Sequence, residues 1–359
     1  MTYVTKIYLP NREKFKAYID GIYESGWLTN NGPLVQELEK RLEEYLGVKN
    51  LLCVANGTLA LEMAYSLLEL EGEVITTPFT FVATTDSIVE QKLTPVYADI
   101  DPEYLTINPD KIEASLTDKT SAIVPVHVFG NACKVEEILD IAKRNDLKVV
   151  FDASHTFGIN YNGQSILNYG DISTLSFNAV KLFHTVEGGA IIIQDDALYE
   201  KAKKMRQYGE TSMDGKNSFA GLNSKMNELE AAFGLCMLDE MEEVAKERRE
   251  SYQYYSKHLK DVVQMLKINE KATFNYSYCP IIFESIAEME TVQSALLENG
   301  IKPRRYFAPS LDTLSNVEKR KEMVVSQEVV SKVLALALHS NAEIKTTEVI
   351  LKTLKAFRS

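Results

Sequence analysis

The chain reads as an α/β protein whose main body is a mostly parallel sheet with helices on both faces, followed by a smaller α+β region. Three observations predict this. Short runs that are apolar throughout recur along the first half, as strands buried on both faces require. Helical patterns lie between many of them. From about Asp196 the character changes to long charged helices with a few strands.

The elements follow in order. Residues 34–46 place Leu34, Val35, Leu38, Leu42, Tyr45 and Leu46 on one helical face. Apolar runs at 51–54, 74–77, 95–100, 122–128, 148–151, 174–177 and 190–194 are predicted strands, with helical patterns at 58–70 and 135–144 among them. The link from Lys181 to Ala190 is too short for a helical crossover, so the last strand is predicted antiparallel. After a further helix and a polar, Gly-containing stretch at 209–223, one long charged helix is predicted from about Met226 through Arg249 to His258. A boundary inside it near residue 240 divides a large domain, 1–240 with the N-terminal segment, from a small domain, 241–359.

The 359 residues suffice for two such domains, and 45% are hydrophobic, so a sizeable core is available. A net charge of −12 argues against a nucleic-acid binder, and a negatively charged substrate then needs locally placed basic side chains or backbone amides. Cys53, Cys133, Cys236 and Cys279 lie far apart without metal-ligand spacing, and no metal site is expected. They read as reduced, mostly buried thiols of a cytoplasmic protein. The start, Met1-Thr2-Tyr3-Val4-Thr5-Lys6, has no apolar signal region, and no apolar run is long enough to cross a bilayer, so no membrane partner is expected.

Chemistry concentrates at the predicted strand ends. Lys181 follows a strand and precedes the Glu187-Gly188-Gly189 turn, so rigid elements hold it on both sides. That suits an amine meant to form a Schiff base with a carbonyl cofactor, although a lone hairpin lysine is more often merely exposed. Asp152 ends the run 148–151, at the edge where open α/β sheets bind ligands. A carboxylate there can keep a pyridine nitrogen protonated, or can cap a helix. Asn56-Gly57-Thr58 joins a strand to a helix and is a phosphate-site candidate, or an ordinary turn with Thr58 as cap. Phe81 can stack on a flat ring or pack in the core, Ser176 can give a hydroxyl to a phosphate, and His155 stands three residues beyond Asp152.

Together these residues resemble the DegT/StrS-type sugar aminotransferases over nearly the whole chain. The resemblance is carried by Gly32-Pro33-Leu34-Val35, residues 56–61, 79–84 and 95–101, Val126-His127-Val128-Phe129-Gly130, Asp152-Ala153-Ser154-His155, residues 176–181, Glu187-Gly188-Gly189 and residues 221–226. It implies a fold-type-I enzyme using pyridoxal 5'-phosphate, with pyridoxamine 5'-phosphate as its amino form. Lys181 then carries the cofactor and Asp152 partners its ring nitrogen. His155 sits beside the ring and Phe81 stacks on it. Gly57, Thr58 and Ser176 bind the phosphate, and Asn223 reaches the phosphate of the neighbouring subunit in a homodimer. The implied reaction moves an amino group from glutamate to a nucleotide-linked keto-6-deoxy sugar, first dTDP-4-keto-6-deoxyglucose, for deoxyamino sugars of surface polysaccharides. Lys225, Arg304 and Arg305 are the candidate cations for the nucleotide diphosphate.

Asn178, the segment 182–186 and Lys225 depart from commoner residues of the family, which leaves the substrate open. A 3-keto sugar aminotransferase is the nearest rival. A regulator that senses the cofactor or a sugar without turnover is a rival of another class, opposed by Lys181 and Asp152. A Rossmann dinucleotide binder lacks its Gly-x-Gly-x-x-Gly turn here.

Overall fold

A computed structural model describes residues 1–4, 6–210, 219–315, 321–339 and 342–359. Seven strands form its central sheet: β1 Leu51–Val54, β2 Glu73–Thr76, β3 Thr94–Tyr97, β4 Thr120–Val124, β5 Lys148–Asp152, β6 Ile172–Ser176 and β7 Gly189–Ile193. The spatial order is β1-β7-β6-β5-β4-β2-β3. The pairs from β6 to β3 are parallel. Only β7 runs against its neighbours, pairing Ala190 with Leu175 on one side and with Cys53 on the other. The short 181–190 link makes this the only direction available.

Alternation along the strands feeds two apolar layers. Leu51, Cys53, Ile75, Ile123, Phe151, Leu175 and Ile192 face the helices Pro33–Leu46, Val135–Arg144 and Glu228–Asp239. Leu52, Val54, Val74, Val124, Val150, Ile172, Ile191 and Ile193 face the helices Gly57–Leu67 and Asp196–Met205. Burial on both faces explains why these strands read as continuous apolar runs.

The helix Pro33–Leu46 has Pro33 in its first turn and no side-chain cap of its own. The buried Glu228 carboxylate supplies the cap, accepting Leu34 N at 2.9 Å and Val35 N at 3.0 Å. Gly32 makes room for it, because a Cβ there would stand 2.5 Å from Glu228 Cδ and 2.5 Å from Trp27 Cδ1.

The single long helix expected over 226–258 is two helices, Glu228–Asp239 and Met241–Leu259. Asn227 caps the first in a capping box with Glu230. Glu240 leaves helical geometry at φ −111° and ψ 5°. Its carboxylate is taken by Tyr8 Oη at 2.7 Å and Asn11 N at 2.9 Å, while Asp239 binds Arg41 at 2.6 Å. The elbow is thus fixed from outside the helix. Of the polar stretch 209–223, residues 211–218 lie outside the described residues, and the flanks pair as antiparallel strands, Gln207–Glu210 with Phe219–Asn223.

Beyond residue 259 a three-stranded antiparallel sheet, Gln264–Met265, Cys279–Ile282 and Val333–Leu336, is packed by the helices Ile286–Glu298 and Ala342–Arg358. Thr2–Tyr3 pairs in parallel with Ile301–Lys302 in the same region. All four cysteines are free and buried. Among the described residues no helix is long and apolar enough to cross a membrane, and no His, Cys, Asp or Glu cluster has metal-binding geometry.

Candidate active site

A cleft of about 290 Å³ opens at the carboxyl ends of β1, β5 and β6. Its first wall is the start of the helix Gly57–Leu67. Asn56, not Thr58, caps this helix, its Oδ1 accepting Leu59 N at 2.9 Å and its carbonyl accepting Ala60 N at 3.2 Å. Of the first four amides, those of Gly57 and Thr58 are left without a helical partner, and both residues line the cleft. Glycine is dictated by proximity here. A Cβ on Gly57 would lie 3.0 Å from Ser176 Cβ, and one on Gly189 would lie 2.6 Å from the Asn56 carbonyl carbon and 2.8 Å from Gly57 N. The Gly188-Gly189 pair therefore lets β7 pass directly against the turn that presents the two amides.

Asp152 is the last residue of β5 and is buried. Its Oδ2 accepts the Thr84 hydroxyl at 2.9 Å and its Oδ1 accepts Ser154 N at 3.1 Å. It thus ties the turn that follows while also facing the cleft. His155 Nδ1 accepts Phe129 N–H at 3.0 Å, so the ring proton of the neutral imidazole sits on Nε2. Burial, with Lys181 nearby, holds this histidine well below its usual pKa. Phe129 donates from a left-handed backbone, φ 59°.

Lys181 is half-buried in the loop after β6. The loop is strapped by Ala179 N to Val186 O at 2.7 Å, Lys181 N to Asn178 O at 2.8 Å and Asn178 Nδ2 to Glu187 Oε1 at 2.6 Å. Burial pushes the amine down to about 8; the Asp152 carboxylate pulls it up and the Arg304 guanidinium pushes it further down. Phe81 also lines the cleft and is 56% exposed.

The facing wall comes from the far end of the chain: Tyr278, Arg304, Tyr306 and Phe307. Tyr278 packs on the His155 ring at 4.6 Å, and Phe307 stacks on Phe129 at 5.7 Å. Sequence reading singled out Arg304 but not Tyr278, Tyr306, Phe307 or Thr84, because neither a lone aromatic nor a lone threonine shows in the sequence which distant residue it will face. Gly57, Thr58, Phe81, Asp152, His155, Ser176, Lys181 and Arg304 meet in one cleft. Asn223, Lys225 and Arg305 do not line it. Asn223 is exposed and accepts a hydrogen bond from Lys225 Nζ, which lies 4.2 Å over the Tyr208 ring. Arg305 is half-buried, with its Nε lacking a hydrogen-bond partner among the described residues.

A seven-stranded sheet with one antiparallel strand, a lysine loop beside it and a carboxylate at a strand end define a transferase of fold type I. The chain belongs to the DegT/DnrJ/EryC1/StrS aminotransferase family, whose model matches residues 10–355. It is 39% identical over 363 residues to the dTDP-4-amino-4,6-dideoxy-D-glucose transaminase of Shigella dysenteriae, covering 99% of both chains. It is 36% identical over 365 residues to the Escherichia coli protein of the same name, covering 98% of this chain and 96% of that one. Among solved structures, DesI in the presence of its TDP-sugar product superposes with a TM-score of 0.92 at 28% identity, over 99% of this chain and 93% of that one.

Proposed function

We propose that this protein is a pyridoxal 5'-phosphate-dependent aminotransferase acting on a dTDP-linked 4-keto-6-deoxyhexose, with glutamate as amino donor, in the cytosol. The observation that carries the reading is the meeting of Lys181, the buried Asp152 and the helix start at Gly57 and Thr58 in one cleft, where burial pushes the lysine amine down to about 8. The cleft fits the cofactor on its own terms. Two helix amides without a partner among the described residues suit a phosphate, and the close approach at Gly57 and Gly189 leaves that turn unobstructed by side chains.

When bound, pyridoxal 5'-phosphate supplies an electron sink for negative charge at the carbon that loses its proton. The chain's own residues do the rest. Gly57 and Thr58 amides with the Ser176 hydroxyl hold the phosphate. Asp152, aligned by Thr84, holds a proton on the ring nitrogen. Phe81 would cover one face of the ring, and His155 would offer its Nε2–H while staying uncharged. Lys181 would hold the cofactor's aldehyde carbon through its Nζ, and the same Nζ would serve as the base that takes and returns the substrate proton.

The assembly is a homodimer with shared sites. Asn223 reaches the partner's phosphate and Lys225 the partner's nucleotide diphosphate, with Arg305 a further substrate cation. Three facts support this: both Asn223 and Lys225 stand outside their own cleft, Trp27, Leu28 and Leu229 expose apolar surface, and Leu28 O accepts Glu228 N at 3.0 Å, one residue from Leu229. Residues 1–240 then form the cofactor domain and 241–359 the small one.

The test incubates the pure protein with cofactor, glutamate and a panel of nucleotide keto sugars, reading products by mass spectrometry. Amination of the dTDP-4-keto sugar is expected, and product NMR separates it from C3 amination. No amination of any sugar refutes the reading.

A further inference from the structure

We infer that Glu187 is the acceptor for the sugar hydroxyl next to the reacting carbon, and so a specificity-determining residue for the hexose. The inference rests on the proposed function. Among the described residues two carboxylates line the cleft, Asp152 and Glu187. Both oxygens of Asp152 are occupied, one by the Thr84 hydroxyl and one by Ser154 N. Glu187 spends only one. Its Oε1 accepts Asn178 Nδ2 at 2.6 Å, while Oε2 has no hydrogen bond or ion pair among the described residues. The group is nevertheless held in place. Thr185 Oγ1 donates to the Glu187 carbonyl at 2.6 Å, and Asn178 Oδ1 accepts Val180 N at 3.2 Å, so the amide that grips the carboxylate is itself gripped. One charged acceptor is thus presented to the cleft, exposed and already oriented.

The choice of ligand follows from the chemistry of a free carboxylate oxygen. It takes donors and repels anions, so neither a diphosphate nor the carboxylates of glutamate suit it. Within electrostatic reach lies a second carboxylate, Glu230, which cannot neutralise it. A cation from a second copy of the chain is a poor occupant, because Lys225 Nζ is already engaged by Asn223 Oδ1 and the Tyr208 ring. A neutral donor remains, and a hexose supplies hydroxyls. The loop selects which one. Asn178 accepts Lys181 N through its carbonyl at 2.8 Å and holds Glu187 through its amide, so the amine and the carboxylate are presented from one turn. In a 4-keto-6-deoxyhexose the carbon whose proton Lys181 moves is C4. Of its two ring neighbours, C3 bears a hydroxyl and C5 a methyl. The C3 hydroxyl is therefore the donor that Glu187 Oε2 receives.

The experiment uses the holoenzyme and isothermal titration with three probes that cannot react. They are dTDP-glucose, which has neither the carbonyl nor the amine, its 3-deoxy analogue, and dTDP. The variant is Glu187→Gln. Its single amide oxygen keeps the bond to Asn178 only by turning the NH2 group, a donor, toward the ligand. The wild type is expected to bind dTDP-glucose more tightly than the 3-deoxy analogue on the order of 10–100-fold, as a charge-assisted hydrogen bond gives. Glu187→Gln should lose that margin, with the 3-deoxy analogue and dTDP bound as before. Glu187→Ala, which also removes the clasp to Asn178, should lose the same margin. Equal weakening of all three probes reduces Glu187 to a support of the loop and overturns the assignment. A wild type that binds the two sugars alike overturns it too, as does unchanged binding of dTDP-glucose by the variants. If the wild type binds none of the probes, the proposed function fails and the inference with it; if it binds dTDP, the two sugars judge Glu187 alone.

Discussion

The depressed amine of Lys181 has a measurable consequence. A free lysine titrates near 10.5, so at pH 7 only about three in ten thousand are unprotonated. At a pKa of about 8 the fraction is about one in ten, a gain of roughly 300-fold in the form that can attack an aldehyde. Burial drives this shift, with Asp152 opposing it and Arg304 assisting. The assay mixes cofactor-free protein with pyridoxal 5'-phosphate and follows visible absorbance between pH 6 and pH 10.5. The capture rate should rise about tenfold per pH unit and level off near pH 8. The bend has a defined direction in variants: Asp152→Asn removes the charge that favours the ammonium form and should move it down, while Arg304→Gln should move it up. A bend near pH 10.5, or one that ignores both variants, refutes the account of how the cleft tunes its lysine.

Other outcomes can be checked alongside. Asp152→Asn should keep partial cofactor affinity, because the amides of Gly57 and Thr58 remain, while turnover collapses; near-normal turnover would reduce Asp152 to the turn-tying role of its bond to Ser154. Gly189→Ala forces a Cβ within 2.6 Å of the Asn56 backbone. About 1–3 kcal/mol of stability should be lost in denaturant melts, together with weaker phosphate-dependent cofactor binding. Mixing inactive Lys181→Ala chains with inactive Asn223→Ala chains should restore part of the activity, since one site of each heterodimer collects both defects and the other none. An absence of recovery after verified subunit exchange counts against shared sites.

Much of the frame was legible in the sequence, for identifiable reasons. Strands buried on both faces cannot hide, because runs such as Leu51–Val54 and Gly189–Ile193 must be apolar throughout. The antiparallel β7 followed from loop length alone. The break at Glu240 was not legible. Composition is helical on both sides of it, and its partners, Tyr8 and Asn11, lie more than two hundred residues earlier. Within the cleft, the residues on the sheet side stood out because each follows a strand. The opposite wall did not, because Tyr278, Tyr306 and Phe307 declare themselves only once the small antiparallel sheet turns them toward His155 and Phe129. Thr84 was invisible for a related reason: its meaning lies wholly in the 2.9 Å to Asp152.

The cap that Glu228 gives to the helix Pro33–Leu46 bears on how the chain is made. On the ribosome, residues 33–46 emerge long before residue 228 exists. Until then Leu34 and Val35 keep two amides open to water, and Gly32 adds its own backbone freedom at the same point. The start of that helix is therefore ordered late, by a carboxylate that arrives from 194 residues further along the chain. A nascent chain that stops short of Glu228 holds the hydrophobic stripe of Val35, Leu38 and Leu42 on a helix with a loose first turn, which is a surface for chaperones to bind before the fold closes over it.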